Sequence, residues 1–315
     1  MPAYSASAPG KVILFGEHAV VYGRPAIAVP VLQVRAKAIV SVDPRSFPGL
    51  VKLQAPDIGL ETSLYDLPEN HPLAAVLLKA ASVMKLSHIP ACNIKIISNI
   101  PIAGGMGSGA AVSVAILRAF SASLGHPLND EQVSKISYEV EVLHHGTPSG
   151  IDNTVITYAK PVYFVKGSGI DTLRVKQAFT IVIGDTGIQS PTSRVVSDVH
   201  KVWESDPAKF EGLFDAVGAI AVAARKSIET GTVNALGSLM NENQAQLCKM
   251  GVSSPELDRL IEAARTSGAL GAKLSGAGRG GNMIAFVTPE GASKVAAALE
   301  HAGAVRTIVT EIPKT

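Results

Sequence analysis

Hydrophobic and polar positions along the chain repeat with two different periods, one typical of strands and one typical of helices. Compact or alternating apolar runs predict strands, whereas apolar residues three and four apart predict amphipathic helices. In the first half, strands are predicted at Lys11–Phe15, Ala26–Val42 and Asn93–Ile97, and helices at His71–Met84, Ala110–Leu124 and from Asn129 to Gly146. Asn129 caps the last of these helices, with Gln132 as the partner of its capping box.

The pattern starts afresh beyond about Lys176. Strands are predicted at Phe179–Ile183, Met283–Val287 and Val305–Glu311, and helices at Val195–Trp203, Phe210–Ile228, Val233–Leu247, Pro255–Ser267 and Ala292–His301. Strands mixed with helices in both halves predict an α+β fold. A length of 315 residues is long for one hydrophobic core, so we expect two domains, residues 1–176 and 177–315.

Composition and charge exclude several classes of function. Hydrophobic residues make up 47% of the chain and charged residues 17%, which predicts a packed interior rather than disorder. The 28 basic and 26 acidic residues leave a net charge of +2 without a long basic run, so neither a nucleic-acid nor a membrane partner is expected. Cys92 and Cys248 lack the spacing of metal ligands, and the first residues do not resemble a secretory signal. We therefore expect a cytoplasmic protein with reduced thiols.

The first chemical signal is a glycine-rich segment, residues 103–110, which we call the first glycine loop. It reads Ala-Gly-Gly-Met-Gly-Ser-Gly-Ala and opens onto a predicted helix. Glycines let the backbone curl and turn several N–H groups toward one point. The first turn of a helix adds unsatisfied N–H groups and the positive end of the helix dipole. The segment is therefore interpreted as a phosphate-binding loop.

Two other interpretations of the first glycine loop stay open at this point. It could be a flexible loop that merely precedes a helix. Gly105, Gly107 and Ala110 also fit the dinucleotide fingerprint, with Asp130 and Glu131 at about the right distance. A dinucleotide fold should continue with a strand, however, whereas here a second helix follows. The P-loop pattern Gly-x-x-x-x-Gly-Lys-Ser/Thr is absent.

Two acidic residues, Glu141 and Asp152, flank the end of a predicted helix and the turn that follows it. The turn, Gly-Thr-Pro-Ser-Gly, can bring Asp152 back toward Glu141. Two carboxylates near a phosphate loop suggest separate roles, one holding Mg²⁺ and one facing an acceptor hydroxyl. The simpler alternative for Asp152 is an ordinary turn aspartate.

Two further segments lie near the ends of the chain. Lys11 and the pair Glu17-His18 flank the first predicted strand and its turn. Residues 276–281, the second glycine loop, follow Lys273 and are predicted to lie between a helix and a strand. This loop matches Gly-x-Gly-x-x-Gly formally, but it leads into a strand, so a dinucleotide interpretation fails. Taken singly, each segment could be a turn, and Lys11 a solvated lysine at a strand end.

In this order and spacing, the segments resemble those of the GHMP kinases, and the resemblance runs from Pro9 to Gly281. The runs Ala8–Gly23 and His145–Asn153 are similar to the corresponding motifs of the mevalonate-phosphorylating branch. Galactokinases and homoserine kinases have different residues in both motifs. The resemblance implies an N-terminal domain like domain 2 of ribosomal protein S5 and a ferredoxin-like C-terminal domain, with ATP and substrate between them. It also implies transfer of the terminal phosphate of ATP to the 5-hydroxyl of mevalonate, with Mg²⁺ as cofactor.

The resemblance further implies roles for single residues. Asp152 would orient the acceptor hydroxyl or accept its proton, and Lys11 would keep Asp152 ionised and stabilise the phosphoryl charge. Glu141 would bind Mg²⁺, with Ser108 as a further ligand. The residues expected to wrap the triphosphate are Ala103, Gly104, Gly105, Met106, Gly107, Ser108, Gly109 and Ala110. Those expected to contact mevalonate are Glu17, His18, Thr192 and Ser193.

Two positions depart from the family's pattern. The family usually has a second serine where this chain has Gly109, so one ligand for Mg²⁺ or phosphate is missing there. It usually has a glycine where this chain has Arg279, whose guanidinium could meet a phosphate or point to solvent. A homodimer is common among relatives and is one expectation here.

Three alternative functions stay open. The nearest is a sister kinase that acts on phosphomevalonate or another small alcohol. The second is a sensor that binds ATP and a metabolite without turnover, against which the retention of Lys11, Glu141 and Asp152 argues. The third is a nicotinamide enzyme built on the first glycine loop.

Overall fold

The computed structural model describes residues 3–101, 104–145, 148–168 and 171–315. Within these ranges the strands are β1 Ala3–Phe15, β2 Ala26–Val42, β3 Val51–Ala55, β4 Leu60–Ser63, β5 Cys92–Ser98, β6 Val162–Phe164, β7 Asp171–Thr172, β8 Phe179–Asp185, β9 Gly271–Ser275, β10 Asn282–Val287 and β11 Arg306–Ile312. The helices are α1 Pro72–Val83, α2 Ser108–Ser123, α3 Asp130–His145, α4 Ile151–Tyr158, α5 Thr192–Ser205, α6 Pro207–Thr230, α7 Ala235–Lys249, α8 Pro255–Thr266 and α9 Ala292–His301. No helix in these ranges has both the length and the apolar composition needed to cross a bilayer.

The helices with a clear apolar period lie where the sequence predicts them. Helices α1, α2, α3 and α5 to α9 are all confirmed, with ends that differ by a few residues. The capping box at the start of α3 is confirmed in both directions. The side chain of Asn129 accepts a hydrogen bond from the backbone N–H of Gln132 at 2.9 Å, and the side chain of Gln132 accepts one from the backbone N–H of Asn129 at 3.1 Å.

The sequence pattern does not reveal β3, β4, β6, β7, β9 and α4. Strand β9 lies directly before the second glycine loop, so this loop connects two strands and the prediction that it follows a helix is wrong. All residues of β9 are buried, which leaves the strand without the polar face that gives a visible alternation. Helix α4 has 8 residues, too few for a helical period to show.

The chain forms two compact units. The first comprises Met1–Gly10, Val34–Ile100 and Gly107–Ala159, and the second comprises Lys11–Gln33, Pro101–Met106 and Lys160–Thr315. Strands β1 and β2 each contribute residues to both units, so the units are not two continuous halves of the chain. The domain boundary between residues 176 and 177 stays a prediction.

The first unit packs helices α1 to α4 with a small mixed sheet. Strand β3 pairs with β4 antiparallel and with β5 in parallel, and β5 pairs antiparallel with residues 36–42 of β2. Large side chains that are fully buried in this unit are Leu53, Leu77, Ile94, Ile116 and Phe120. Burial of each such side chain stabilises the fold by roughly 1.5–3 kcal/mol. The same packing fixes α2, α3 and α4, which carry part of the predicted site.

The second unit contains an antiparallel four-stranded sheet in the order β11-β8-β10-β9. Helices α5 to α8 connect β8 to β9, and α9 connects β10 to β11. This is the strand–helix–strand–strand–helix–strand order of a ferredoxin-like fold, so both that prediction and the α+β class are confirmed. Side chains buried between this sheet and its helices include Val182, Phe214, Leu274 and Met283.

Candidate active site

The first glycine loop leads directly into α2, as a phosphate-binding loop requires. Gly105 and Gly107 have positive φ angles of 76° and 70°, and Gly107 is the N-cap of α2. Because Gly107 has no side chain, it cannot cap the first N–H groups of the helix, which stay available for an anion. Gly109 lies in the first turn of α2 in open space, since a Cβ there would meet nothing within 4 Å. Ala103 lies outside the described residues.

The backbone before α2 is held by two hydrogen bonds within the second unit. The carbonyl of Met106 accepts a hydrogen bond from the backbone N–H of Lys11 at 3.1 Å. The carbonyl of Gly104 accepts one from the side-chain amide of Asn282. Met106 and Lys11 are themselves buried, with 1% and 3% of their surface exposed. The conformation of residues 104–106 is therefore set by the surrounding structure before any ligand binds.

A small pocket brings the first glycine loop, the second glycine loop and the start of α5 together. The residues that line it are Gly104, Gly105, Ser190, Thr192, Ser275, Ala277, Gly278, Gly280 and Gly281. Thr192, the first residue of α5, is thus one of the predicted substrate residues that the structure places beside the loop. Ser193 is exposed and is not among the lining residues.

Glu17 forms a buried ion pair that links the two ends of the chain. Its carboxylate pairs with the ammonium of Lys273, and both side chains have 0% of their surface exposed. The side-chain amide of Asn243 donates to the other carboxylate oxygen at 3.1 Å. Burial lowers the pKa of Lys273, and the charge of Glu17 opposes that shift. Both oxygens of Glu17 therefore accept hydrogen bonds from the protein, and its contact with substrate stays a prediction.

His18 is the central residue of a strained turn against the second glycine loop. Its φ and ψ angles are 61° and −50°, and the N–H of Ala19 donates to the carbonyl of Glu17 at 2.7 Å, which defines a γ-turn. The ring nitrogen Nε2 lies 2.9 Å from the carbonyl oxygen of Ala277. Burial lowers the pKa of His18 to about 4. The ring is therefore neutral at pH 7, with the Nε2 proton donated to Ala277.

The other ring nitrogen of His18, Nδ1, is a buried acceptor. Among the described residues it has no hydrogen-bond partner. A buried polar atom without a partner is costly, and a bound ligand is one source of the missing hydrogen bond. Backbone strain of the kind seen at this residue also clusters at ligand sites. Both observations support the prediction that His18 contacts substrate.

The two predicted acids, Glu141 and Asp152, belong to a packed pair of helices in the first unit. Asp152 lies in the first turn of α4, where the helix dipole favours a carboxylate, and it is half-buried. The side chain of Asn153 donates to the carbonyl and the hydroxyl of Ser134 on α3, at 3.2 and 2.9 Å. Glu141 lies two turns beyond Ser134, about 10 Å along the same face of α3. The structure therefore places both acids on the packed α3–α4 pair.

The predicted magnesium ligands are Glu141 and Ser108. Among the described residues, no group of three or more histidine, cysteine, aspartate and glutamate side chains could hold a metal ion. Mg²⁺ prefers hard oxygen donors and is commonly bound by one or two carboxylates together with substrate phosphates. Glu141 and Ser108 offer donors of this type, so the residues present fit the ion without forming a closed protein cage.

Arg279 forms an ion pair while 40% of its side-chain surface stays exposed, and its contact with a phosphate stays a prediction. Its guanidinium donates to the carboxylate of Asp198 on α5 at 2.7 Å. This hydrogen bond holds the pKa of Asp198 below its usual value. The backbone of Arg279 has a φ angle of 57°, which is the left-handed conformation that a glycine adopts most easily.

Sequence reasoning overlooks Asn243, Asn282 and Asp198, and assigns no role to Lys273. Asn243 gives a weak signal, because it is a polar residue on the buried face of α7. The others give none, since nothing in a strand-end asparagine or a helical aspartate points to a partner far away in the sequence.

Comparison with known proteins places this site in a family. The chain matches the model of the GHMP kinases N terminal domain over residues 73–160 and that of the GHMP kinases C terminal over residues 224–305. It is 38% identical to a mevalonate kinase from Thermococcus sibiricus, over 98% of this chain and 96% of that protein.

Solved structures show the same similarity. The crystal structure of L. major mevalonate kinase in complex with R-mevalonate matches with a TM-score of 0.83 and 30% identity, covering 99% of this chain and 96% of that one. A Streptococcus pneumoniae phosphomevalonate kinase in complex with phosphomevalonate and AMPPNP matches with a TM-score of 0.83 and 15% identity, covering 98% and 100%. The second similarity supports the fold alone.

These similarities decide between the interpretations of the first glycine loop. Helix α3 follows α2, where a dinucleotide fold would continue with a strand. Both halves of the chain match kinase domains, and the identity to the T. sibiricus relative extends over nearly the full length. The chain belongs to the mevalonate kinase family of the GHMP kinases.

Proposed function

We propose that this protein transfers the terminal phosphate of ATP to the 5-hydroxyl of mevalonate and releases 5-phosphomevalonate and ADP. The observation that carries the proposal is the 38% identity, over nearly the full length, to a relative named as a mevalonate kinase. The match at 30% identity to a mevalonate kinase that holds R-mevalonate supports the same substrate.

The triphosphate of ATP binds along the first glycine loop and the start of α2. The N–H groups of Gly107, Ser108 and Gly109 have no capping side chain before them, and the positive end of the helix dipole adds to their attraction for an anion. Glu141 and Ser108 hold Mg²⁺, which when bound neutralises charge on the phosphates. The chain itself contributes the fixed backbone and the oxygen donors.

Asp152 orients the 5-hydroxyl and accepts its proton as the new bond to phosphorus forms. Asp152 lies in the first turn of α4 and is half-buried, so its carboxylate is held on a fixed element while part of it stays accessible. Lys11 supplies positive charge to the transferring phosphoryl group. Phosphoryl transfer asks mainly for such positioning and charge neutralisation.

Mevalonate is held by His18 and Thr192, with Glu17 and Ser193 as further contacts. The buried Nδ1 of His18 accepts a hydrogen bond that no described residue supplies, and a hydroxyl of the substrate provides it. Thr192 lines the pocket beside Gly104 and Gly105 and offers its own hydroxyl. The cytoplasmic location, the homodimer and the domain boundary between residues 176 and 177 are also part of this proposal.

Release of ADP, measured with mevalonate, phosphomevalonate, homoserine and galactose in turn, tests the proposal. We expect the highest kcat/KM with mevalonate. A preference for phosphomevalonate would assign the chain to a sister kinase, and no release with any alcohol would favour a sensor. Heat stability measured with ATP–Mg²⁺ and with NAD separates the nicotinamide alternative, because only a ligand that binds the folded state raises Tm.

A further inference from the structure

Arg279 connects the second glycine loop to α5. Its guanidinium donates to Asp198 at 2.7 Å, and its backbone N–H donates to the carbonyl of Val252 at 2.8 Å. The guanidinium also lies 3.4 Å from the carbonyl of Gly251 through Nε. The side chains of Arg279 and Asp198 keep 40% and 31% of their surface exposed, so the pair is accessible to salt.

The segment before α5 is tied to the same loop through other atoms. The hydroxyl of Ser190 donates to the carbonyl of Gly278, and the N–H of Gly281 donates to the carbonyl of Ile188 at 2.8 Å. These bonds hold the chain that enters the helix. The ion pair of Arg279 is a tie between the second glycine loop and the body of α5.

The helix that Arg279 holds carries a residue of the pocket. Thr192 begins α5 and lines the same pocket as the second glycine loop. Asp198 lies six residues later, about 9 Å along the helix axis. A tie at Asp198 therefore restrains the direction of the whole first half of α5 and, with it, the position of Thr192 over the pocket.

We propose that Arg279 is a positioning residue that acts through Asp198 to hold Thr192 at the substrate side of the pocket. This inference rests on the proposed function, because it assumes that the side of the pocket lined by Thr192 binds the phosphate acceptor, mevalonate. It gives a role to Arg279, a position where the GHMP kinases usually have glycine.

Four variants isolate the ion pair from the backbone. Arg279→Gln removes the charge but keeps a side chain in the left-handed conformation, and Arg279→Lys keeps the charge there. Asp198→Asn removes the other partner. Lys201→Gln is the matched control, because Lys201 lies 3.8 Å from the same carboxylate but belongs to α5 and makes no tie to the loop.

We expect Arg279→Gln and Asp198→Asn each to raise KM for mevalonate by about two- to fivefold, the range that a half-exposed ion pair supports. The double variant should be no worse than either single one, since both remove the same interaction. Arg279→Lys should recover part of the loss, and Lys201→Gln should behave as the unchanged protein. Values of kcat and of KM for ATP should not change, and high salt should remove the difference from the unchanged protein.

Hydrogen exchange without any ligand tests the tie independently of the substrate. Amides of residues 194–199 should exchange up to about fivefold faster in Arg279→Gln and Asp198→Asn, and at the normal rate in Lys201→Gln. If the unchanged protein does not phosphorylate mevalonate, the proposed function fails while the exchange result still decides whether the tie exists. Unchanged exchange together with unchanged KM would overturn the inference. A higher KM for ATP in Arg279→Gln but not in Asp198→Asn would also overturn it, because Arg279 would then contact phosphate directly.

Discussion

The two glycine loops have the same spacing of residues, but the structure uses them in opposite ways. A Cβ at Gly109, in the first loop, would meet nothing within 4 Å. A Cβ at Gly278, in the second loop, would lie 2.0 Å from the carbonyl oxygen of Val252. The first loop opens onto a helix and leaves free space at Gly109, whereas the second connects β9 to β10 and packs tightly against Val252 at Gly278.

A similar contrast separates the acids that the sequence singles out. Asp152 and Glu141 are half-buried on helices of the first unit. Glu17 is 1% exposed, with both carboxylate oxygens engaged by Lys273 and Asn243. Accessibility therefore distinguishes the two half-buried acids from an acid that the protein already engages, and sequence spacing does not.

Replacement of Gly278 by alanine gives the largest effect that we expect. The new Cβ would collide with the Val252 carbonyl, and the φ angle of 82° disfavours any side chain, so the free energy of unfolding should fall by about 4 kcal/mol or more. Denaturant unfolding measures the loss. Gly109→Ala is the matched control and should leave stability unchanged or raise it by up to about 1 kcal/mol, because alanine favours a helix. Equal effects at the two positions would contradict the comparison.

Acid should destabilise the region around the second loop through His18. The folded state holds the pKa of His18 at about 4, whereas the ordinary value is 6.5, so the unfolded chain binds the proton first as the pH falls. Stability from this residue is complete above pH 6.5 and is lost toward pH 4, by about 3 kcal/mol. Urea unfolding from pH 7 to 4 measures this loss.

His18→Asn provides the comparison for the pH measurement, since asparagine tolerates a positive φ angle. Carboxylates that titrate near pH 4 affect both proteins equally, so the difference between the two curves isolates the histidine. Arg279 also disfavours the charged ring, although burial is the larger cause. Parallel curves would show that His18 does not titrate in this way.

Asp152→Asn should lower kcat at least ~10²-fold, about 2.7 kcal/mol, because the general base is lost. Because Asp152 is only half-buried, the Tm of the variant and the rise in Tm on adding ATP should remain nearly unchanged. Glu131→Gln, an exposed acid in the first turn of α3, is the control and should keep full activity. A fully active Asp152→Asn variant would falsify the assignment of Asp152 as the base.

Gly109→Ser should have the smallest effect and restores the residue that the family usually has. The open space around Gly109 accepts the side chain, so stability should change by less than about 0.5 kcal/mol. A hydroxyl there can join Ser108 and Glu141, and we expect half-maximal activity at a two- to tenfold lower Mg²⁺ concentration, roughly the range of one polar contact. Titration of activity with Mg²⁺ checks this, and an unchanged midpoint would show that position 109 makes no contact with the ion.

Local features of the structure could be predicted well from the sequence. The capping box of Asn129 and Gln132 and the long helices depend on residues a few positions apart, so their patterns are visible along the chain. Strand β9 and the short helix α4 could not be predicted, because a strand buried on all sides and a helix of 8 residues show no period.

The sequence by itself determined the family resemblance, and through it the expected reaction class, since a glycine loop before a helix and the motifs around Lys11 and Asp152 are local arrangements of residue types. Only the tertiary structure decided which charged residues are engaged by others. Glu17 and Lys273 are 256 positions apart, and Asp198 and Arg279 are 81 apart. Each pair forms because folding brings together side chains that no sequence pattern relates. For Glu17 and Lys273, burial also makes a lone charge costly, so each side chain needs its partner.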